Sequence, residues 1–496
     1  MLKTKPYVFW FVAGSQGLYG DDVLQQVAQN TKEIAAGLDS DAAIPYRIIF
    51  KAVVTTPDAI RRVCLEANSD DECAGIIAWM HTFSPAKMWI SGLKQLTKPL
   101  LHLHTQYNSE IPWDSIDMDF MNLNQAAHGD REFGFIGARL GIARKIIAGH
   151  WKNDGVRTRI GSWMRTAAGY TESQTMRVAR FGDNMRFVAV TEGDKVEGQI
   201  QFGWSVNGYP AGDLAERVQG VTDGQVNELM DEYTELYDFT TNGRLEGSEK
   251  EAIREQARIE LGLKGFLQEG GYSAFVTSFQ DLHGLKQLPG LAAQRLMAAG
   301  YGFGAEGDWK TAALVRIMKI MADNQGTSFM EDYTYHLEQG NELVLGSHML
   351  EICPTLAASK PKIEVHPLFV GGKADPARLV FNGASGSAIN ATVVDLGDRF
   401  RLIVNEVEAV KNVKEMPHLP VARVLWKPQP SLAGAAEAWI TSGGAHHFGF
   451  SFAVTAEQMS DWAKMAGIEC VIINKNTSMH TLENELRWNE LYYRLK

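Results

Sequence analysis

The chain has 496 residues, 45% hydrophobic and 22% charged, with 48 basic against 59 acidic side chains and a net charge of −11. Its length exceeds the roughly 100–200 residues of one domain, so two or three domains with separate cores are expected, and its apolar content excludes a largely disordered chain. The acidic balance and the lack of a basic tract argue against a nucleic-acid partner, and the first apolar run, Tyr7 to Ala13, is far shorter than the ~20 residues that span a bilayer. Cys64, Cys73, Cys353 and Cys470 are widely spaced without a C-x-x-C, which fits a reducing cytoplasm.

In chain order, Val8 to Val12 reads as a buried strand. The loop Gly14-Ser-Gln-Gly-Leu-Tyr-Gly20 follows, then a helix whose Leu24, Val27, Ile34 and Leu38 share a stripe, with Asp21 or Asp22 placed to cap its first turn. A strand near 46–54 leads to Thr56-Pro57, a cap followed by a proline at the first helical position. A third strand over 74–79, a second cap-and-proline pair at Ser84-Pro85 before a helix over 88–96, and a strand over 99–103 complete an alternation that predicts a doubly wound parallel sheet. The glycine loop is spaced G-x-x-G-x-x-G rather than G-x-G-x-x-G, so it reads as a substrate-facing loop at a strand's carboxyl end, not a dinucleotide site.

Near residue 175 the pattern restarts, with strands over 176–181 and 272–277 and helices over 213–237, 251–268, 287–299 and 309–322. From about 327 it becomes β-like, over 378–382, 391–396 and 400–404, and then ends in helices. The expected fold class is therefore α/β and multidomain: two doubly wound parallel-sheet domains, 1–174 and 175–326, and a β-rich C-terminal domain, 327–496.

Carboxylates and histidines recur in glycine-rich or turn-like settings: Glu306 and Asp308 in Gly304-Ala-Glu-Gly-Asp-Trp309, Glu331 and Asp332, His348 after Gly346-Ser347, and His446-His447 after Gly443-Gly444. Such a set without thiolate suits Mn²⁺, Co²⁺ or Mg²⁺ better than structural zinc. The spacing alone leaves a metal site open, since no two candidates sit on one helical face as in H-E-x-x-H. Each also has a structural reading: Asp308 as the N-cap of the next helix, Glu331 as a surface acid, His348 as a hydrogen-bonded histidine on an apolar strand. Neighbours on an extended segment point to opposite faces, so one of His446 and His447 is expected to ligate and the other to support it. Neither a G-x-S-x-G elbow nor a G-K-[ST] loop is present, which argues against serine hydrolase and P-loop chemistry.

Several long strings are more specific. Val8-Phe-Trp-Phe-Val-Ala-Gly-Ser-Gln16, Trp79-Met-His-Thr-Phe-Ser-Pro-Ala-Lys-Met-Trp89, the run Pro112 to Gln125, Arg180-Phe-Gly-Asp-Asn-Met185, Glu306-Gly-Asp-Trp-Lys-Thr-Ala-Ala313, Thr327 to His336, Gly346-Ser-His-Met-Leu-Glu351 and Gly443-Gly-Ala-His-His447 together resemble the L-arabinose isomerase family along essentially the whole chain. The resemblance implies a fucose-isomerase-like architecture and a metal-dependent aldose–ketose isomerase. Its reaction would interconvert L-arabinose and L-ribulose, the first step of L-arabinose catabolism, and also turn D-galactose into D-tagatose. The matched positions imply Glu306, Glu331, His348 and His447 as ligands of one Mn²⁺ per subunit, with Co²⁺ or Mg²⁺ as substitutes. Glu306 and Glu331 would be the acid–base pair of an enediol route at C1 and C2, with His446 supporting at the sugar. Gln16, Leu18, Phe83, Met185 and Phe279 match the sugar pocket, and Gln125 and His128 are expected to reach it from a neighbouring subunit. A cytoplasmic homo-hexamer, a dimer of trimers with sites at subunit interfaces, is implied as well. Gly17 stands where the family's loop has His, which bears on substrate preference more than on reaction type. A sugar-binding protein without catalysis is the alternative, and it would need no metal quartet.

Overall fold

The computed structural model describes residues 2–239, 247–368, 372–412 and 414–495. Thr4–Thr171 forms one compact unit, and Glu172–Lys496 together with Met1–Lys3 forms another.

In the first unit, β1 (Val8–Gly14), β2 (Arg47–Val54), β3 (Cys73–Met80), β4 (Leu100–His104) and β5 (Lys145–Ala148) make a parallel sheet in the order β2-β1-β3-β4-β5. β3 is buried at every position and β1 at all but its first, the near-continuous apolar run required of a strand covered on both faces. The order reverses between β1 and β3, so the loops at their carboxyl ends, Ser15 to Gly20 and His81 to Pro85, flank the crevice where such sheets bind ligands. Thr56 caps its helix as expected, accepting from the Ala59 amide at 3.2 Å. Two other expected caps do not form. Gly20 is the N-cap of the helix Asp21–Asp39, and Asp21 and Asp22 lie within its first turn, where they oppose the helix dipole instead. The Ser84 hydroxyl accepts from the Trp89 indole at 2.9 Å, and the chain there makes a 3-10 turn, Ala86–Trp89, and a short helix, Ile90–Leu93, in place of one helix over 88–96.

The second unit opens with β6 (Arg177–Phe181), β7 (Ser205–Tyr209), β8 (Asp238–Phe239), β9 (Ala274–Val276) and β10 (Gly302–Gly304), of which four form a parallel sheet in the order β10-β9-β6-β7. The helix expected over 213–237 is two, Ala211–Gln219 and Asp223–Leu236. The break comes at Gly220, after which Thr222 and Gln225 form a reciprocal capping box that starts a new helix.

β11 (Thr327–His336), β12 (Leu343–Ser347), β13 (Lys362–Val365), β14 (Ala377–Val380), β15 (Gly386–Asp395), β16 (Phe400–Val410), β17 (Val424–Pro428), β18 (His447–Ser451) and β19 (Glu469–Ile473) follow. β15-β18-β11-β12-β17-β16 are antiparallel neighbours, and β15 pairs with β16, so the ring closes into a barrel without free edges. β19 adds to β16 in parallel, while β8, β13 and β14 make a small separate sheet.

The helix Trp309–Met321 joins the parallel sheet to the barrel and is buried along its whole length. Side chains at Gly302 and Gly304 of β10 or Gly449 of β18 would overlap it, so glycine at these positions permits the close approach. Each of its buried cations finds a backbone acceptor: Lys310 donates to the Thr191 carbonyl at 3.1 Å, Arg316 to that of Gly300 at 2.8 Å, and Lys319 to that of Thr327 at 2.8 Å. All four cysteines are free thiols, and among the described residues no helix is long and apolar enough to cross a membrane.

Candidate active site

The turn between β10 and the buried helix sets the first group. Glu306 has φ +56° and Gly307 φ +81°, two successive left-handed residues. At Gly307 a β-carbon would meet the Asn184 Cα at 2.6 Å, so only glycine fits. The turn is fastened on both sides: the Met185 amide donates to the Glu306 carbonyl and the Gly307 amide to that of Thr277, each at 3.0 Å. Asp308 then caps the helix, accepting from the Thr311 amide at 3.2 Å and hydroxyl at 2.8 Å. Its carboxylate also lies 3.4 Å from Lys310 Nζ and 3.5 Å from His447 Nδ1. Burial pushes Asp308 up, but Lys310 and His447 outweigh it and bring the group down to about 2.

Strand register supplies the rest. Glu331 of β11 is paired with Ser347 of β12 on one side and His447 of β18 on the other. His348 follows Ser347 directly, and its Nε2 lies 3.9 Å from Glu331 Oε2 while its Nδ1 meets Glu351 Oε2 at 2.6 Å. Glu351 is buried and also accepts from the Leu350 amide at 3.0 Å, so it fixes the His348 ring with Nε2 toward Glu331. The His348 and His447 rings are 5.7 Å apart, each edge-on to Phe329.

His446 and His447 do not diverge to opposite faces as expected of an extended pair. Strand pairing of β18 begins at His447, so His446 belongs to the turn after Gly443-Gly444, and its ring lies 4.2 Å from that of His447. His446 Nε2 is 3.8 Å from Glu306 Oε2, and one ligand atom each from Glu306, His446 and His447 lie within 4.8 Å of one another. Glu331 on β11 and His348 directly after β12 sit beside this group.

The electrostatics divide the two carboxylates. Burial raises Glu306, yet the facing His446 and the charges of His447 and His348 more than offset it, leaving Glu306 below the ordinary carboxylate range. Burial dominates at Glu331 and holds it above that range against the pull of His348 and His446. Burial would lower His348, but Glu351 and the two site carboxylates raise it; His446 is raised chiefly by Glu306, and His447 is lowered by its complete burial. His447 Nε2 is buried and has no hydrogen-bond partner. A buried nitrogen left unpaired is costly, and with carboxylates and imidazoles around it this set fits a divalent cation.

The expected sugar residues fall in both units. In Thr4–Thr171, Gln16 and Leu18 lie on the loop after β1 and Phe83 on that after β3, where Phe83 stacks on His128 at 5.5 Å. Gln125 joins them: its amide donates to the His81 carbonyl at 3.0 Å and its side chain accepts from Tyr19 at 3.1 Å. Leu18 is 84% exposed. In the other unit, Met185 is tied to Glu306 through its amide, and Phe279 stacks on His348 at 6.0 Å. The roles of Glu351 in orienting His348 and of Asp308 in facing His447 were not read from the sequence; for Glu351, the signal was its place three residues after His348.

Comparison with known proteins decides the family. Domain models of L-arabinose isomerase match in succession, the N-terminal domain over residues 3–175, the central domain over 177–324 and the C-terminal domain over 326–469. The chain is 67% identical over 494 residues to an L-arabinose isomerase of Geobacillus stearothermophilus and 61% identical over 496 residues to one of Bacillus subtilis, each alignment covering 100% of both chains. This chain belongs to the L-arabinose isomerase family. An L-arabinose isomerase of Halalkalibacterium halodurans is 64% identical over 495 residues, again across 100% of both chains. The family is one of sugar isomerases, so the protein is an enzyme of the aldose–ketose isomerase type, and the non-catalytic sugar-binding alternative falls away.

Proposed function

We propose that the protein converts L-arabinose to L-ribulose at a divalent cation, Mn²⁺ by preference with Co²⁺ or Mg²⁺ as substitutes, held one per subunit by Glu306, Glu331, His348 and His447. The observation that carries this reading is the buried, unpartnered His447 Nε2 in a residue grouped with Glu306 and His446, with the His348 ring 5.7 Å away and Glu331 paired to it in strand register. When bound, the cation supplies Lewis-acid polarisation of the sugar's O1 and O2. Glu306 and Glu331 form the acid–base pair: one carboxylate takes the proton from C2 of the open-chain sugar and returns it to C1, and the other moves the hydroxyl proton between O2 and O1. Environments that push two neighbouring carboxylates apart in acidity suit such a division. His446, whose imidazole faces Glu306, supports this pair at the sugar.

In this reading Gln16, Leu18, Phe83, Gln125, His128, Met185 and Phe279 contact the sugar in a homo-hexamer built as a dimer of trimers with sites at subunit interfaces, and the stacking of Phe83 on His128 means that Gln125 and His128 reach a given sugar from the same chain as Phe83. Support comes from the segment leading to Gln125: Ile111, Trp113, Ile116, Met118 and Met121 are all exposed, Trp113 at 78%, an apolar face that association would bury. D-galactose is a second substrate, the protein works in the cytoplasm at the first step of L-arabinose catabolism, and its domains divide at 1–174, 175–326 and 327–496.

The test is conversion of L-arabinose by purified protein, chelator-stripped and then refilled with Mn²⁺, beside D-galactose and L-fucose. Activity on L-arabinose that returns only with metal supports substrate and quartet together; no recovery with any sugar would overturn the site. In heavy water the enediol route deposits deuterium at C1 of L-ribulose, whereas full retention of substrate hydrogen would refute proton transfer through solvent-exchanging carboxylates.

A further inference from the structure

In Thr4–Thr171, β3 and β4 separate at their carboxyl ends. They are paired from Ile76 with Leu100 to Ala78 with His102, and beyond that β4 continues to His104 against β5. The carboxylate of Asp130, from the helix Ala126–Arg139, fills the fork. Its Oδ1 accepts from His102 Nε2 at 2.8 Å and from the Met80 amide of β3 at 3.3 Å, and its Oδ2 accepts from His104 Nδ1 at 2.7 Å. His102 and His104 stand two apart on one strand and so share a face. Asp130 and His102 are buried, and Phe133, one turn further along the helix, lies edge-on to the His102 ring at 4.9 Å. His102 Nδ1 is buried with no partner among the described residues, so the hydrogen of this imidazole belongs on the Nε2 that faces Asp130. The half-buried His104 is held above the ordinary imidazole range by its hydrogen bond to Asp130, and its proton offsets the buried charge.

What this carboxylate holds is the start of the helix, and the start of the helix carries two proposed sugar contacts. Gln125 is its N-cap and His128 lies in its first turn. The Gln125 amide donates to the His81 carbonyl at 3.0 Å, and a β-carbon at Gly129 would come within 3.1 Å of the Thr82 carbonyl oxygen, so this end of the helix sits directly on the loop after β3. Asp130 adds ties to Met80, the last residue before that loop, and to both histidines of β4. Stability alone does not call for such a group. A buried charge is costly to desolvate, and apolar side chains packed in the place of a buried ion pair are often as stable or more so; what the pair gives is one defined geometry. We propose that Asp130 is a positioning residue for the isomerase reaction, its carboxylate fixing the first turn of the helix against β3 and β4 so that Gln125 and His128 meet the sugar in one place. This rests on the reading that Gln125 and His128 contact the sugar, and adds to it the group that sets where they stand.

Steady-state kinetics of the full-length, Mn²⁺-loaded protein on L-arabinose, with circular dichroism to confirm folding, test this. Asp130→Asn keeps the side chain's size but leaves one acceptor oxygen for three donors. It should raise KM about tenfold, the equivalent of one hydrogen bond to the sugar, with kcat within about twofold, because binding is lost equally from substrate and transition state while the metal ligands lie in the other unit. His104→Ala, at a half-buried position that tolerates truncation, removes one of the three donors and should raise KM in the same way; His104→Asn, whose amide nitrogen stands where Nδ1 does, should restore it. Ile60→Ala, in the buried face of the helix Pro57–Ser69 of the same unit, is the control and should lower the unfolding temperature with KM unchanged. A parental KM in both Asp130→Asn and His104→Ala, or a KM no better in His104→Asn than in His104→Ala, would overturn the proposal and leave Asp130 a structural acid. Gln125→Ala and His128→Ala separate the two layers. A parental KM in both overturns the sugar-contact reading and the proposal with it, whereas a raised KM in either beside a parental KM in Asp130→Asn and His104→Ala overturns the proposal alone.

Discussion

Glu306 is a non-glycine residue at φ +56°, a conformation that costs free energy and persists because the turn is fastened to Met185 and Thr277. That strain aims its carboxylate at His446, while Glu331 reaches the same place from the middle of a strand with ordinary geometry. The two acids therefore arrive by independent routes, and replacing either should leave the other in place. Glu306→Gln and Glu331→Gln each keep the side chain's size and remove its charge. Turnover of L-arabinose should fall by more than the 10²–10⁴-fold typical of losing a general base, because the cation loses a ligand as well. Metal content of each variant after dialysis, read beside its turnover, checks both halves, and near-normal turnover in either would remove that residue from the pair.

At the scale of elements, three antiparallel strands do the positioning: β11 brings Glu331, β12 ends at Ser347 and leads directly into His348, and β18 starts at His447. Their spacing depends on Gly346 of β12, where any β-carbon would overlap the Trp426 ring of β17. Gly346→Ala should cost about 1–3 kcal/mol by overpacking and, because β12 leads directly into His348, lower activity too. Gly212→Ala, in a helix with open space around it, is the control and should be neutral or slightly stabilising. Thermal unfolding of both variants beside their turnover separates the effects; equal behaviour would mean that Gly346 sets no spacing. This arrangement also explains what the sequence disclosed. The alternation of strands and helices up to residue 322 follows local periodicity, and parallel sheets were legible from it. The cap of Thr56 was legible as well, but those expected at Ser84 and Asp21 were not, because Ser84 is drawn to the Trp89 indole and Gly20 begins its helix. Closure of the barrel depends on β15 meeting β18, pairing of residues far apart in sequence that no local pattern encodes. For the same reason the metal candidates were legible as residue types in glycine-rich settings, while the convergence of His446 with His447 depends on where strand pairing begins.

For the whole molecule, the chain divides its tasks between two compact units, with every proposed metal ligand between Glu306 and His447 in the larger one. Thr4–Thr171 has its own core around Trp10, Ile76, Trp89 and Phe133 and contributes only sugar-facing loops to the proposed chemistry. A cation that binds the folded larger unit stabilises it by mass action, about 2.7 kcal/mol at a concentration 100-fold above the dissociation constant. That stabilisation should be local in its effect. Addition of Mn²⁺ without sugar should slow hydrogen exchange at the turn 305–308 and in β11, β12 and β18, the elements that present the ligands, and leave the amides of Thr4–Thr171 unchanged. Hydrogen exchange read by mass spectrometry distinguishes the outcomes: protection confined to those four segments supports a ligand set spanning turn and barrel. Protection absent from β12 would remove His348 from it, and protection spread through Thr4–Thr171 would mean that metal binding orders both units together.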